Sequence, residues 1–324
     1  MTYLLPARHP RGSPILDGVE PAGLWVRRLA LASVVTNVGI VVTGGAVRLT
    51  ASGLGCPTVP NCTADSFFPT PELGVHGVIE YTNRTLTGVL SLVALATLVA
   101  VWRDGPRRRD LLGPAIALLI GIPAQALLGA VTVLTGLNPW TVAGHFLVSA
   151  LLIAVAVLLW RRSHEPPGAT VPVVPSALRL LTRGLLVVVA VVLLLGTVVT
   201  GTGPHAGDPD SPRMGFDLAV ISQLHADAVL LLIGLSVSLW AGLRAVGAPA
   251  AVRRAAAVLV VVELAQGLVG FVQYFTDLPV LLVGFHLLGA TLVEVAAVRL
   301  YLTMRERLAA VAPRTTSTTA GALA

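Results

Sequence analysis

One unit of sequence occurs twice in this chain, and it limits the fold more than any other feature. Residues 124–145 read AQALLGAVTVLTGLNPWTVAGH and residues 265–286 read AQGLVGFVQYFTDLPVLLVGFH. Laid together without a gap, Ala124 falls on Ala265, Gln125 on Gln266, Gly129 on Gly270 and His145 on His286, with Gly144 and Gly284 one step apart. The Gln-to-His interval is 20 residues in both copies. Each copy is an apolar segment, a short polar turn, and a histidine entering a second apolar segment. This pattern predicts a duplicated helical bundle with a histidine position in each half.

The surrounding composition places that bundle in a membrane. Apolar residues make up 55% of the 324-residue chain and charged residues only 12%, against about 25% charged in soluble domains. Mean hydropathy is +0.84. A span needs roughly 20 apolar residues to cross the hydrocarbon, and eight segments qualify: 24–44, 77–101, 111–134, 142–160, 180–200, 219–240, 254–275 and 280–302. All 22 basic residues are arginine, and every one except Arg48, Arg84 and Arg213 falls in the tails or in alternate loops. By the positive-inside rule this predicts a multi-pass cell-membrane protein with both termini cytoplasmic. The same placement accounts for the net charge of +6 without nucleic acid as a partner. Residues 1–23 are polar and Pro/Gly-rich, lack the apolar core of a signal peptide, and read as a disordered cytoplasmic lead-in. Residues 24–160 and 180–302 read as two four-helix halves, joined by a cytoplasmic linker at 161–179 and followed by a tail at 303–324. The expected fold is an all-α integral membrane protein: two tandem four-helix bundles related by a pseudo-two-fold axis along the membrane normal.

The long outer loops, 45–75 and 201–218, begin alike, VVTGG at 41–45 and VVTGT at 198–202, and Asn83 of the second span aligns with His225 of the sixth. His225 and His286 both open even-numbered spans, so they can lie at similar depth near the outer face. Polar side chains in spans are costly and usually functional. Two imidazoles across a bundle core suit axial ligation of a haem iron; the plainer alternative is a histidine pair that bonds neighbouring helices. The first half keeps His145 but has Asn83 in place of the second histidine. Around it, in HGVIEYTNR, His76, Glu80 and Asn83 share a helix face, with Arg84 one turn beyond Glu80. His76 lies about 10 Å above Asn83 along the helix and cannot simply replace it. The second half therefore reads as a tight two-sided site and the first as a site with one side open and a carboxylate beside it. Glu80 and Arg84 could instead be a buried pair that holds helices together.

Cys56 and Cys62 fall in the first outer loop, where a disulfide can persist; a metal site would want ligands that this loop lacks, since no histidine lies between residues 10 and 75. His205, with Asp208, sits in the second outer loop and reads as a loop tie or a propionate contact. His9 and His164 fall in cytoplasmic polar segments and read as solvated.

The run GGAVRLTASGLGCPTVPNC, then IEYTNR, then TGTGPHAGD, with histidines opening spans four, six and eight, resembles the haem A synthases over nearly the whole chain apart from its tails. That resemblance implies a membrane oxidoreductase that oxidises the C8 methyl of haem O stepwise to the formyl of haem A for the terminal cytochrome oxidase. It implies haem b as cofactor, bound in the second half by His225 and His286. Haem O is the implied substrate, bound in the first half near His145, with Glu80 matching the essential carboxylate. At Asn83 the chain departs from the pattern of many members, which carry a histidine there. Substrate haem then rests on His145 alone or on His145 with His76 in a shifted geometry. Asn83 and Arg84 lie beside that site, and Arg48, Arg84 and His205 are candidate propionate contacts. Glu80 is expected to accept a proton near the reacting methyl. Expected partners are haem O synthase (protohaem farnesyltransferase), an electron acceptor and the lipid bilayer, with self-association left open. The alternatives are a dihaem electron carrier between quinol and an acceptor, a haem transporter, and a structural membrane subunit.

Overall fold

The computed structural model describes residues 21–308. The predicted lead-in up to residue 20, with His9, and the tail from residue 309 lie outside the described residues. Eight helices are long and apolar enough to cross a membrane: α1 (Leu24–Leu49), α2 (Gly74–Arg103), α3 (Leu112–Leu134), α4 (Pro139–Ser163), α5 (Ser176–Thr202), α6 (Leu218–Ala245), α7 (Ala250–Phe275) and α8 (Val280–Thr303). The all-α membrane fold is therefore as expected, but most helices run past the apolar segments. α1 continues through Arg48 to Leu49, and the outer loops are shorter than predicted. No proline interrupts residues 41–49 and the helix runs through Gly44 and Gly45, whereas local caps set other boundaries. Asn138 accepts the Trp140 N–H ahead of Pro139, and Asp217 accepts the Val220 N–H at the start of α6, satisfying donors that a helix N-terminus leaves free.

The duplication extends to backbone detail. α3 ends with Gly136 and Leu137 at φ +61° and +57°, and α7 ends with Asp277 and Leu278 at φ +59° and +56°. In both turns the leucine N–H returns to the helix, Leu137 to the Thr132 carbonyl (2.9 Å) and Leu278 to the Gln273 carbonyl (2.8 Å), the six-to-one closure of a left-handed C-terminal cap. Helix neighbours repeat as well. α1, α2, α3 and α4 pack in a closed ring, as do α5, α6, α7 and α8, and the rings meet through α4–α8, α1–α8 and α5–α4. Advancing every helix by four maps this set of contacts onto itself, the signature of a pseudo-two-fold axis.

The tight packing of both rings sits toward the Arg-rich ends. One core contains Leu118, Ile153, Val157 and Leu159, the other Leu185, Leu239, Leu259 and Leu300. Between spanning helices such contacts stabilise by dispersion and close fit, because lipid tails are as apolar as the core. At the same end, the linker and the predicted tail are not plain coil. Strand β1 (Thr170–Pro172) pairs antiparallel with β2 (Arg305–Arg307), and Asp110 accepts from Arg307 at 2.8 Å and Arg108 at 3.3 Å. His164, expected to be solvated, stays exposed but bonds the Trp160 carbonyl through Nδ1 at 2.8 Å.

Candidate functional site

His145, His225 and His286 lie six or seven residues into α4, α6 and α8, about 10 Å below the helix starts. They are thus at one depth in the two rings. Each imidazole rests on a glycine of the preceding helix. A methyl group on Gly129 would stand 3.5 Å from His145 Cε1, one on Gly196 3.3 Å from His225 Cε1, and one on Gly270 3.0 Å from His286 Cε1. His225 and His286 stand on α6 and α8, the diagonal pair of the second ring. At this depth the second ring is loosely packed: α6 buries nothing before Leu232, α7 nothing after Glu263 and α8 nothing before Thr291.

The glutamine of the repeated unit serves the histidine, and differently in the two halves. Gln266 Nε2 donates to the His286 carbonyl (2.8 Å) and lies 3.0 Å from His286 Nδ1. Its Oε1 is buried without a partner. Turned over, the same amide would accept from an Nδ1–H, the support that a metal-bound imidazole requires. Gln125 Nε2 instead bonds the His145 carbonyl (3.0 Å) and Ser149 Oγ, and His145 Nδ1 is buried with no partner.

The first half also departs from the second across the ring. Asn83 turns toward α1, its Oδ1 accepting from Thr43 Oγ1 at 2.8 Å. Gly39, which aligns with Gly196, has nothing within 4 Å of where its Cβ would stand. The position that His225 covers in the second half is therefore open in the first.

One turn above Asn83, Glu80 is only 5% exposed. Its Oε2 accepts the Cys56 N–H at 2.6 Å, and its Oε1 accepts from Arg84 Nη2 at 2.6 Å and Nε at 3.1 Å. Arg84 also donates to the carbonyls of Cys56 (2.8 Å), Thr58 (2.8 Å) and Asn61 (3.4 Å). Guanidinium has five N–H donors, and these contacts use them all. In this fold Arg84 anchors the loop. The loop it holds is closed by a Cys56–Cys62 disulfide, the disulfide reading of the two cysteines. His76 does not reach the ring interior either. It is exposed, and its Nδ1 lies 3.0 Å from Ser52 Oγ, so the shifted geometry with His145 has no support here.

Arg48 bonds the carbonyls of His205 and Thr200, the latter at 2.7 Å, and His205 Nε2 contacts the Leu278 carbonyl at 2.9 Å. Arg48, in the last turn of α1, and His205, just beyond α5, occupy aligned positions of the two halves, and together they tie the outer loops of both.

A profile of the COX15-CtaA family, whose members are described as cytochrome oxidase assembly proteins, matches residues 27–298. The chain belongs to the COX15-CtaA family. Among relatives, the Heme A synthase of Bacillus pumilus is 38% identical over 135 residues, 40% of this chain and 43% of the relative. That of Exiguobacterium sibiricum is 32% identical over 204 residues, 59% of this chain and 65% of the relative. That of Alkalihalophilus pseudofirmus is 31% identical over 137 residues, 41% and 46%. The chain thus spans less than two thirds of the length of each.

In this COX15-CtaA member two further polar residues lie in the second ring, and the sequence reading passed over both. Glu263 of α7 accepts from Ser236 Oγ of α6 at 2.8 Å, and Glu294 of α8 is buried. Lone acids inside apolar spans were the available signal.

Proposed function

We propose that the chain is a membrane haem A synthase that oxidises the C8 methyl of haem O stepwise to the formyl of haem A. In this reading haem b sits in the second ring between His225 and His286, and substrate haem sits in the first ring at His145. Bound there, haem b would supply one-electron transfer. The residues fit such a group: two imidazoles on diagonal helices at one depth, glycines beneath each ring, a glutamine able to support Nδ1, and loose packing around them. The observation that carries the functional reading is the asymmetry within the repeat. One half has a histidine from each side, while the other has lost one to Asn83. A cofactor must stay and a substrate must leave, and the halves differ in that sense.

The chain's own residues then divide the work. His145 holds and orients the substrate haem. Glu80, one turn above Asn83 on the buried stripe of α2, accepts a proton released as the methyl is oxidised; its Oε2, which accepts only the Cys56 N–H, keeps acceptor capacity beyond that bond. The distribution of arginines supports cytoplasmic termini, which puts the disulfide loop outside. Haem O synthase would supply the substrate; with water as the source of the formyl oxygen the reaction balances, releasing four protons and passing four electrons to an acceptor.

The deciding experiment is chromatography of acid-extracted haems from protein purified out of cells that also make haem O. Haem A, or a partly oxidised haem O, alongside haem b is the expected result. Haem b alone at two per chain would replace the synthase with an electron carrier, and no haem would sink both.

Two substitutions test the assignment of the halves. Gly270→Ala puts a methyl 3.0 Å from the His286 ring, whereas Gly129→Ala meets the His145 ring at an ordinary 3.5 Å. Gly270→Ala is expected to weaken haem b retention roughly tenfold, as disturbed support of a ligand does, while Gly129→Ala leaves the haem-to-protein ratio unchanged. Asn83→His should restore the missing side, because Gly39 leaves room for the ring. The variant is expected to retain additional haem through purification, counted as the pyridine haemochrome, with added low-spin absorbance in the native spectrum. An unchanged haem content would show that the first ring is not built like the second.

A further inference from the structure

The short ladder at the Arg-rich end determines where its charges point. Side chains alternate along a strand, so Arg305 and Arg307 share a side with their partners Pro172 and Thr170, while Glu306, paired with Val171, faces the other way and is exposed. Two cavities lie on the arginine side. That of about 340 Å3 is lined by Arg161, Arg162, Arg307 and one side of Arg305, but also by Glu165, which lies 2.9 Å from Arg161 and 3.8 Å from Arg307. Its charge is partly neutralised within the protein. The other, of about 230 Å3, is lined by Arg179, Arg183, Arg305 and Tyr301 and by no acidic residue. None of these three arginines has an ion-pair partner among the described residues. Arg179 Nε is buried without an acceptor, and the Arg305 guanidinium is held over the Tyr301 ring at 5.1 Å, which leaves its in-plane N–H groups for a ligand.

We propose that this cavity binds the phosphate of an anionic phospholipid headgroup. Three uncompensated guanidiniums in one concavity select an anion, and their donor geometry matches phosphate oxygens. Free phosphate shares that chemistry, but the surface leading away from the cavity favours a lipid. Val187, Val191 and Leu194 follow Arg183 at helical spacing along α5 away from the Arg-rich end, and they are 64%, 42% and 45% exposed. A phosphate held at Arg183 thus heads an apolar strip on the membrane-facing surface, which acyl chains would cover. Basic pockets between the ends of spanning helices commonly bind such headgroups.

The test uses the full chain purified in mild detergent, with phosphatidylglycerol or phosphatidylcholine added and bound lipid counted by native mass spectrometry. Phosphatidylglycerol is expected to remain bound in preference to phosphatidylcholine. Arg179→Gln and Arg305→Gln should each weaken its retention about fivefold. Arg183→Gln, on an exposed helix surface, should do the same without loss of fold. Arg253→Gln, exposed at the start of α7 outside the cavity, should change nothing. Equal retention of the two lipids, or an equal loss with Arg253→Gln, overturns the site. Displacement of the lipid by inorganic phosphate at equal concentration overturns the lipid assignment in favour of a free anion, and persistence of the lipid supports it.

Discussion

His286→Ala is expected to remove haem b from the purified protein, with loss of the low-spin absorbance and a fall of more than about a hundredfold in haem retention. The size follows from comparison with lesser changes, since altering a group that merely supports a metal ligand costs roughly 10–100-fold and this substitution deletes the ligand itself. Folding should be little affected. The ring around His286 is loosely packed, with no residue of α8 buried before Thr291, and the tight core lies below it around Leu259 and Leu300. Deleting a side chain from a close-packed core leaves a costly cavity; here the space is already accessible. The informative control is His205→Ala, which loses a contact with the Leu278 carbonyl at 2.9 Å and should keep both haem and spectrum. If His286→Ala retains the parent haem-to-protein ratio and spectrum, the axial assignment is wrong. If His205→Ala loses haem equally, the effect belongs to the outer-loop tie.

The features legible in the sequence are those that depend on local period. Apolar runs of span length marked the eight helices, and the ungapped repeat placed Gln125 with His145 and Gln266 with His286 before any contact was known. The role of the glutamines was not legible, because Gln266 reaches an imidazole nitrogen and Gln125 a serine hydroxyl at the same spacing of 20 residues from the histidine. That difference depends on side-chain orientation between helices. The loop contacts of Arg84 were not legible for a related reason: three of its acceptors are backbone carbonyls of Cys56, Thr58 and Asn61, and a carbonyl carries no residue-type signal. The ladder of Thr170–Pro172 with Arg305–Arg307 was invisible because three residues are too few to display alternation, and its strands lie more than a hundred positions apart. Its arginines were read only as a topology signal. The Glu263–Ser236 contact was within reach, since an acid in an apolar span is itself the signal.

Glu80→Gln is expected to leave haem b in place and to stop oxidation, so that haem O accumulates and haem A falls by two to four orders of magnitude, the usual contribution of a positioned proton-transfer group. The difficulty is that Glu80 also does structural work, receiving the Cys56 N–H and pairing with Arg84 at 2.6 Å each. Removing one partner of such a buried pair costs about 3–5 kcal/mol, so Glu80→Ala alone would confuse a loosened loop with lost chemistry. Gln keeps the shape and a carbonyl oxygen able to accept from either donor, and it removes the proton affinity. Arg84→Lys supplies the opposite control. It keeps the positive charge beside Glu80 but gives up the fork that holds the Cys56, Thr58 and Asn61 carbonyls, so it loosens the loop while leaving the carboxylate. Three quantities separate the roles: haem b content, the ratio of haem O to haem A, and protease resistance of the 50–73 loop. A proton acceptor predicts that Glu80→Gln changes only the haem ratio and that Arg84→Lys changes mainly the protease resistance. Normal haem A from Glu80→Gln would leave the carboxylate as a loop anchor alone, and the oxidation would have to find its base among the other groups of the first ring.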